Sequence, residues 1–508
     1  MLPRVALSTV LSRAPVGMAA PLVRVEVQLG PGLPMFILVG LPEAVVRESK
    51  ERVRSALLTA GFEFPAGRIT VNLSPADLPK EGGRFDLPIA IGILAADGRI
   101  PPRALRRREF YGELSLSGEL RETPKLLPAL LAGTRAGSEL ILPAANEAEA
   151  ALLDSPRLKL GADLLQVCDA LNGRATLATC RGADSSAARP PADLADIRGQ
   201  FAAKRALEIA AAGEHALLMI GPPGAGKTLL AQRLPGLLPP LSKSELLEVA
   251  SLESAAGRRP TAGDRRPFRS PQHTASIAAL IGGSALKPGE LSLAHLGVLF
   301  LDELPEFARN VLEALREPLE SGVVAVSRLK RSCEFPARFQ LVAAMNPCPC
   351  GYAGDPRGRC RCTAEQVARY RSRISGPLID RIDIHIELAA LPVEHLLSDM
   401  QPTTDTSAAV ALRVAAARHR QLQRQDKLNA RLTHTEAVRI CRLDRESRAL
   451  VGTAIARLGL SARAYHRVLK LARTCADLAA EPHIRKVDVS EAVTLRALDR
   501  PAQSSGLT

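Results

Sequence analysis

Tryptophan is absent from the 508 residues, and aromatic residues make up only 3%. Recognition of nucleic acid through aromatic stacking platforms is therefore disfavoured, and a polyanion would have to be met by charge. No stretch reaches the roughly 18 uninterrupted apolar residues of a membrane helix, so no membrane partner is expected. The first residues lack a signal peptide's apolar centre: Val5-Ala6-Leu7 is broken by Ser8, Thr9 and Ser12, and Arg13 follows. They read as folded protein rather than as a leader. No internal repeat of about 20 to 50 residues is visible, which argues against a solenoid. Cysteine is sparse and odd in number, nine in all, which suits a reducing cytoplasm better than a disulfide scaffold.

What is present is an ordinary globular composition, 46% hydrophobic and 24% charged. A chain this long predicts two to four domains. The 67 Lys and Arg outnumber the 53 Asp and Glu, giving +14. Such an excess suits an acidic partner such as DNA or RNA, although a solvated basic surface would have the same composition. The excess is localised, because the chain from Ala411 onward holds 19 Lys and Arg against 9 Asp and Glu.

Periodicity divides the chain into an α/β or α+β segment over residues 1–175, a linker over 176–192, a parallel-sheet segment over 193–398 and a helical segment over 399–508. In the first, Val23-Arg24-Val25-Glu26-Val27 alternates like a strand and Glu43 to Ala60 carries apolar residues at helical spacing. The linker is marked by Gly182, Ser185, Ser186, Pro190 and Pro191.

In the third segment the strand-like run Ala216-Leu217-Leu218-Met219-Ile220 leads into Gly221-Pro222-Pro223-Gly224-Ala225-Gly226-Lys227-Thr228, and a helical pattern follows. This is the context of a P-loop, whose backbone N–H groups cradle phosphates at a helix N-terminus. All eight residues are expected to bind ATP, with Lys227 reaching the β- and γ-phosphates and Thr228 ligating Mg²⁺. A second apolar strand, Gly297 to Leu301, ends in Asp302-Glu303. Asp302 would hold the Mg²⁺ shell and Glu303 would polarise the attacking water. A third, Gln340 to Met345, ends at Asn346, whose amide could bond the water or the γ-phosphate from the far side.

These residues, with Asp196-Ile197-Arg198-Gly199-Gln200 and Ser375-Gly376-Pro377-Leu378-Ile379-Asp380-Arg381-Ile382-Asp383, resemble the Mg-chelatase-like AAA+ family that includes bacterial YifB and ComM proteins. Arg266 to Thr274, Gly289 to His295 and Asn346-Pro347-Cys348-Pro349-Cys350-Gly351 extend the resemblance over nearly the whole chain, with Gln272 departing from an expected histidine. The resemblance implies an AAA+ P-loop core related to MCM helicases and to the magnesium-chelatase ATPase subunit, an all-helical carboxy-terminal lid and assembly into a ring, a hexamer. In such rings an arginine from the neighbouring subunit completes each ATP site. Arg381 matches that position, with Arg373 and Arg371 as substitutes, and Arg463 in Ser461-Ala462-Arg463-Ala464 matches an arginine expected from the lid. Inserted hairpins of MCM-like motors line a central channel, which makes Arg328, Lys330 and Arg331 candidates for DNA phosphate contacts. A solvated basic turn is the plain alternative.

The amino-terminal segment, from Val39-Gly40-Leu41-Pro42 through Asp86 to Ala90, resembles the Lon-protease domain of the ribosomal S5 domain 2-like fold. Active members use a serine–lysine dyad. Here Lys80-Glu81-Gly82-Gly83-Arg84 offers no serine, and the resemblance places Leu127 at the dyad lysine's position, with Lys125 two residues away. A nucleophile without its base gives little acyl transfer, so no peptidase activity is expected.

Cys348, Cys350, Cys360 and Cys362 form a C-x-C-x₉-C-x-C pattern that could hold a structural Zn²⁺, with free thiols as the alternative. The function the resemblance implies is an ATP-driven motor on DNA, a helicase promoting branch migration during uptake and recombination of transforming DNA, working beside recombination proteins. A protein-remodelling or metal-chelatase-type motor without a DNA substrate is the alternative.

Overall fold

A computed structural model describes residues 6–40, 48–180, 182, 192–261, 263–283, 286–328, 331–355, 357–390, 406–458, 461–496 and 498. The amino-terminal part is built on an eight-stranded mixed sheet. Ala6–Arg13, Leu22–Gly30 and Arg68–Ser74 run antiparallel at its centre, with Met35–Val39 parallel at one edge. On the other side Arg108–Phe110, Glu139–Pro143 and Leu158–Gly161 add in parallel. Val23, Val25 and Val27 are fully buried, as their alternation predicts. The helix Asp86–Ala96 packs on this face and is buried through Leu94.

Composition placed residues 176–180 in the linker, but Ala178–Thr179 pairs with Leu158–Gly161 and extends the sheet. Cys180 is buried behind it. The segment is too short for periodicity to reveal, because its partner strand supplies the pairing. Residues 181 and 183–191 of the expected linker lie outside the described residues.

The central part is a five-stranded parallel sheet in the spatial order Phe268–Arg269, Val298–Leu301, Gln340–Met345, Leu217–Ile220, Ile384–Glu387. The P-loop strand thus lies between the strand leading to Asn346 and the Ile384–Glu387 strand, while the acidic strand lies one place further over. The three inner strands, Val298–Leu301, Gln340–Met345 and Leu217–Ile220, are almost wholly apolar and buried along their length, because both of their faces are covered.

Helices Ser407–Gln425, His434–Ile440, Arg445–Leu458, Ala462–Leu478 and Lys486–Thr494 form the carboxy-terminal part. It shares one continuous core with the sheet: Val414, Leu469 and Ala472 pack in the same cluster as Leu217, Val342 and Ile384. Asp193 ties the start of the central part to the helical one, accepting from the backbone N–H groups of Ala195 at 2.9 Å and Ser407 at 2.7 Å. Among the described residues, no helix is long and apolar enough to cross a membrane.

Candidate nucleotide site and the loops around it

Leu217–Ile220 ends in the middle of the sheet, and the chain turns through Gly221–Gly226 before helix Lys227–Leu237 begins. Gly224 and Gly226 adopt φ of +78° and +88°, a left-handed conformation that costs a side-chain-bearing residue energy. A cleft of about 390 Å³ opens above this turn, lined by Pro223–Leu229, Asp302, Glu303, Met345 and Asn346.

The Lys227 ammonium donates to the carbonyls of Gly221 at 2.5 Å and Pro222 at 3.0 Å and to Asn346 Oδ1 at 3.0 Å. Burial pulls its pKa down, and the carboxylates of Asp302 and Glu303 pull it back up. The Thr228 hydroxyl donates to Asp302 Oδ2 at 2.8 Å. These two hard oxygen donors are the pair a magnesium shell uses. Asp302 Oδ1 also accepts from the backbone N–H of Glu303 at 3.0 Å. Glu303 has φ of 53°, a backbone strain that turns its side chain out of the strand direction at the rim of the cleft. Three strand ends therefore bring Lys227, Thr228, Asp302, Glu303 and Asn346 together around one cleft.

Composition gave no signal for His273, yet its Nδ1 lies 3.3 Å from Glu303 Oε2. It follows the edge strand Phe268–Arg269, so the sheet order puts it beside the acidic strand. Tyr370 is buried under the same region, and burial pushes its hydroxyl up to about 12 despite a hydrogen bond from the Asn346 backbone.

The candidate arginines stand apart from these groups. Arg381 is held by Glu320 at 2.5 Å and by the Pro377 carbonyl at 2.7 Å, beside Glu313, Arg316 and Glu317. Arg373 pairs with Glu306 at 2.7 Å, and Arg371 reaches the Pro347 carbonyl at 3.4 Å. Arg463 is exposed in the first turn of helix Ala462–Leu478. None of the four lines the cleft of its own chain.

The expected hairpin is present: Val323–Arg328 pairs with Arg331–Pro336, and Arg328 faces Arg331 across the last rung. Its inner face, Val324, Val326 and Phe335, is buried in the central core. Gly17 of the amino-terminal part lies against Cys333 and Phe335. Lys330 and the side chains of Arg328 and Arg331 lie outside the described residues.

In the amino-terminal part Lys80 is fully buried and donates to the carbonyls of Gly40, at 2.9 Å, and Pro75. Arg84 donates to the Pro124 carbonyl at 2.6 Å, and Lys125 pairs with Glu81 at 2.9 Å. Leu127 is buried, its N–H bonded to Glu149 at 3.0 Å. These lysines are engaged with carbonyls and a carboxylate, an arrangement that holds the loop together.

Comparison with known proteins covers all three parts. Family models described as magnesium chelatase, subunit ChlI, match residues 193–396; as subunit ChlI of Mg-chelatase, residues 25–146; and as magnesium chelatase, subunit ChlI C-terminal, residues 404–496. The chain is 49% identical to competence protein ComM of Haemophilus influenzae over 506 residues, 98% of this chain and 99% of that protein. It is 47% identical to uncharacterized protein YifB of Escherichia coli over 498 residues, 97% of this chain and 98% of that one. The magnesium-chelatase 38 kDa subunit of Rhodobacter capsulatus is 29% identical over 185 residues, 32% of this chain and 53% of that subunit.

Proposed function

The chain belongs to the Mg-chelatase-like AAA+ family, and from that premise we propose that it hydrolyses ATP in the cleft above Gly221–Thr228 and uses the energy to move DNA. The observation that carries the reading is the convergence of the Lys227 ammonium, the Thr228–Asp302 pair and the Glu303 carboxylate on one P-loop cleft. An incoming triphosphate replaces the carbonyls that Lys227 now serves, and the Gly224–Gly226 N–H groups meet its phosphates. Thr228 and Asp302 would hold Mg²⁺, which neutralises phosphate charge when bound. Glu303 accepts a proton from the attacking water, and Asn346, fixed by Lys227, bonds the reacting oxygens from the opposite side.

Completion of the site across a subunit boundary is supported by Arg381, which sits away from its own cleft beside Glu320. In a hexameric ring it would reach the neighbour's phosphates, with Arg463 contributing from the lid. Contact with DNA is assigned, on the sequence resemblance, to Arg328, Lys330 and Arg331. The high identity to a protein named for competence favours a helicase acting in branch migration during transformation, alongside recombination proteins and in the cytoplasm, where nine free cysteines stay reduced.

The test is steady-state ATP hydrolysis with and without single-stranded, duplex and forked DNA at two salt concentrations. Stimulation that weakens with salt is expected, since phosphate contacts release counterions. Robust basal turnover with no response to any DNA would overturn the DNA assignment and favour a motor acting on protein.

A further inference from the structure

The chain between Asn346 and Thr363 forms neither strand nor helix among its described residues, so the backbone ladder does little to fix it. Yet it begins at the amide that bonds Lys227, and it lies against the P-loop. Gly351, at φ +85°, sits so close to Pro223 that an added Cβ would meet the proline ring at 2.8 Å, with Asn346 Cγ at 3.9 Å. Within this loop four sulfurs gather from two ends of the sequence pattern. Cys348 is fully buried; its Sγ lies 3.3 Å from Cys350 Sγ and 3.8 Å from Cys360 Sγ, and the latter two are 3.6 Å apart. Cys362 completes a group whose ligand atoms all lie within 4.8 Å of one another.

These separations suit one small ion. Four thiolates at a Zn–S distance of about 2.3 Å stand about 3.8 Å apart at the corners of a tetrahedron. The sulfurs are too close together to surround a polynuclear iron–sulfur core. Backbone N–H groups point at sulfur, that of Ala353 reaching Cys348 Sγ at 3.2 Å and those of Tyr352 and Arg361 bonding Cys350, which is how a protein stabilises thiolate charge.

We propose that Cys348, Cys350, Cys360 and Cys362 bind one structural Zn²⁺, and that this ion holds the loop so that Asn346 and Pro223 keep their places in the nucleotide cleft. Each thiol loses its proton on binding, four protons leaving for one Zn²⁺ gained, with no change of oxidation state. The metal replaces the apolar core that a loop of glycine, proline and arginine cannot form. The metal site itself does not depend on the proposed ATPase activity, whereas its effect on turnover rests on that reading.

The experiment is metal analysis of the full chain purified without chelator, alongside Cys360→Ser/Cys362→Ser and, as a control, Cys180→Ser. The expected result is one zinc per chain in the unaltered protein and in the control, less than a tenth of that in the double variant, and stoichiometric release by a mercurial. Replacement with Co²⁺ should give the visible bands and the sulfur charge-transfer band of a tetrahedral four-thiolate site. ATP turnover in the double variant should fall at least tenfold, while circular dichroism and elution volume stay unchanged. Zinc at trace level with four titratable thiols, iron with sulfide, or zinc retained in the double variant would each overturn the site. Zinc lost with unchanged turnover would overturn its coupling to the cleft. Zinc present in a protein that hydrolyses no ATP would leave the metal site standing and sink the ATPase reading instead.

Discussion

Lys227 and Lys80 are both buried lysines that donate to backbone carbonyls, and they sit in surroundings of opposite kinds. Lys227 stands at the floor of an open cleft, with Asn346 at the end of the adjacent strand and Asp302 and Glu303 at the end of the one beyond it. Lys80 is fully buried, and the residues around it, Glu81, Gly82, Gly83 and Arg84, include no nucleophile. Carbonyls that a ligand can displace leave the first lysine free to exchange partners. Carbonyls sealed from solvent make the second a pin between Gly40 and Pro75. A buried charge is therefore a functional signal only where a cleft and complementary groups come with it.

The comparison breaks most decisively at Lys227. Lys227→Ala is expected to abolish phosphate release, at least a hundredfold, because the γ-phosphate loses its positive partner. Lys80→Met should instead leave turnover within about twofold and lower stability by about 2–3 kcal/mol, the scale of lost charged hydrogen bonds, as read by denaturant titration. A large turnover loss in Lys80→Met with an intact fold would give the amino-terminal lysine a chemical role.

Glu303→Gln should retain binding of a fluorescent nucleotide while turnover falls about a hundredfold, the scale of a lost general base. His273→Ala should cost less, about three- to tenfold in kcat, because the imidazole orients Glu303 without touching phosphate; a larger loss than Glu303→Gln gives would assign His273 the base role. The smallest effect is on stability against pH. Burial, with help from Arg338 and Arg431, lowers the pKa of His295 from 6.5 to about 3. Its Nδ1 accepts from the Arg338 backbone N–H at 3.0 Å, which requires the neutral ring with its one proton on Nε2, 3.1 Å from the Glu248 carboxylate. Above pH 6.5 folded and unfolded chains are both neutral there. Between 6.5 and 3 the unfolded chain takes up a proton that the fold refuses, so stability falls as pH falls. His295→Gln should flatten that part of the melting-temperature profile.

The elements of the cleft were legible because each is local: an apolar run, a glycine turn or acidic pair, and a helix start. Strand order adds what no local pattern holds. It brings His273 beside Glu303, thirty positions later, and places Arg381 against Glu320 rather than the cleft. Ala178–Thr179 went unseen because its pairing partner, not its own composition, makes it a strand. The helical part reads from sequence as a separate lid, while in the fold Val414 and Leu469 share a core with Leu217 and Val342, a packing fact outside any helical period. The cysteine spacing suggested a metal, and the fold brings the four sulfurs within 4.8 Å of one another, a gathering that the spacing alone does not give.

The most direct test of the proposal that the ATP site is shared between chains is phosphate release from an equimolar mixture of Lys227→Ala and Arg381→Ala chains, each also assayed alone. Each alone should be nearly inactive, and random mixing should restore about a quarter of the sites, those with an intact P-loop on one chain and an intact arginine on its neighbour. A mixture no more active than its parts, or an Arg381→Ala chain as active as the unaltered protein, would contradict the account.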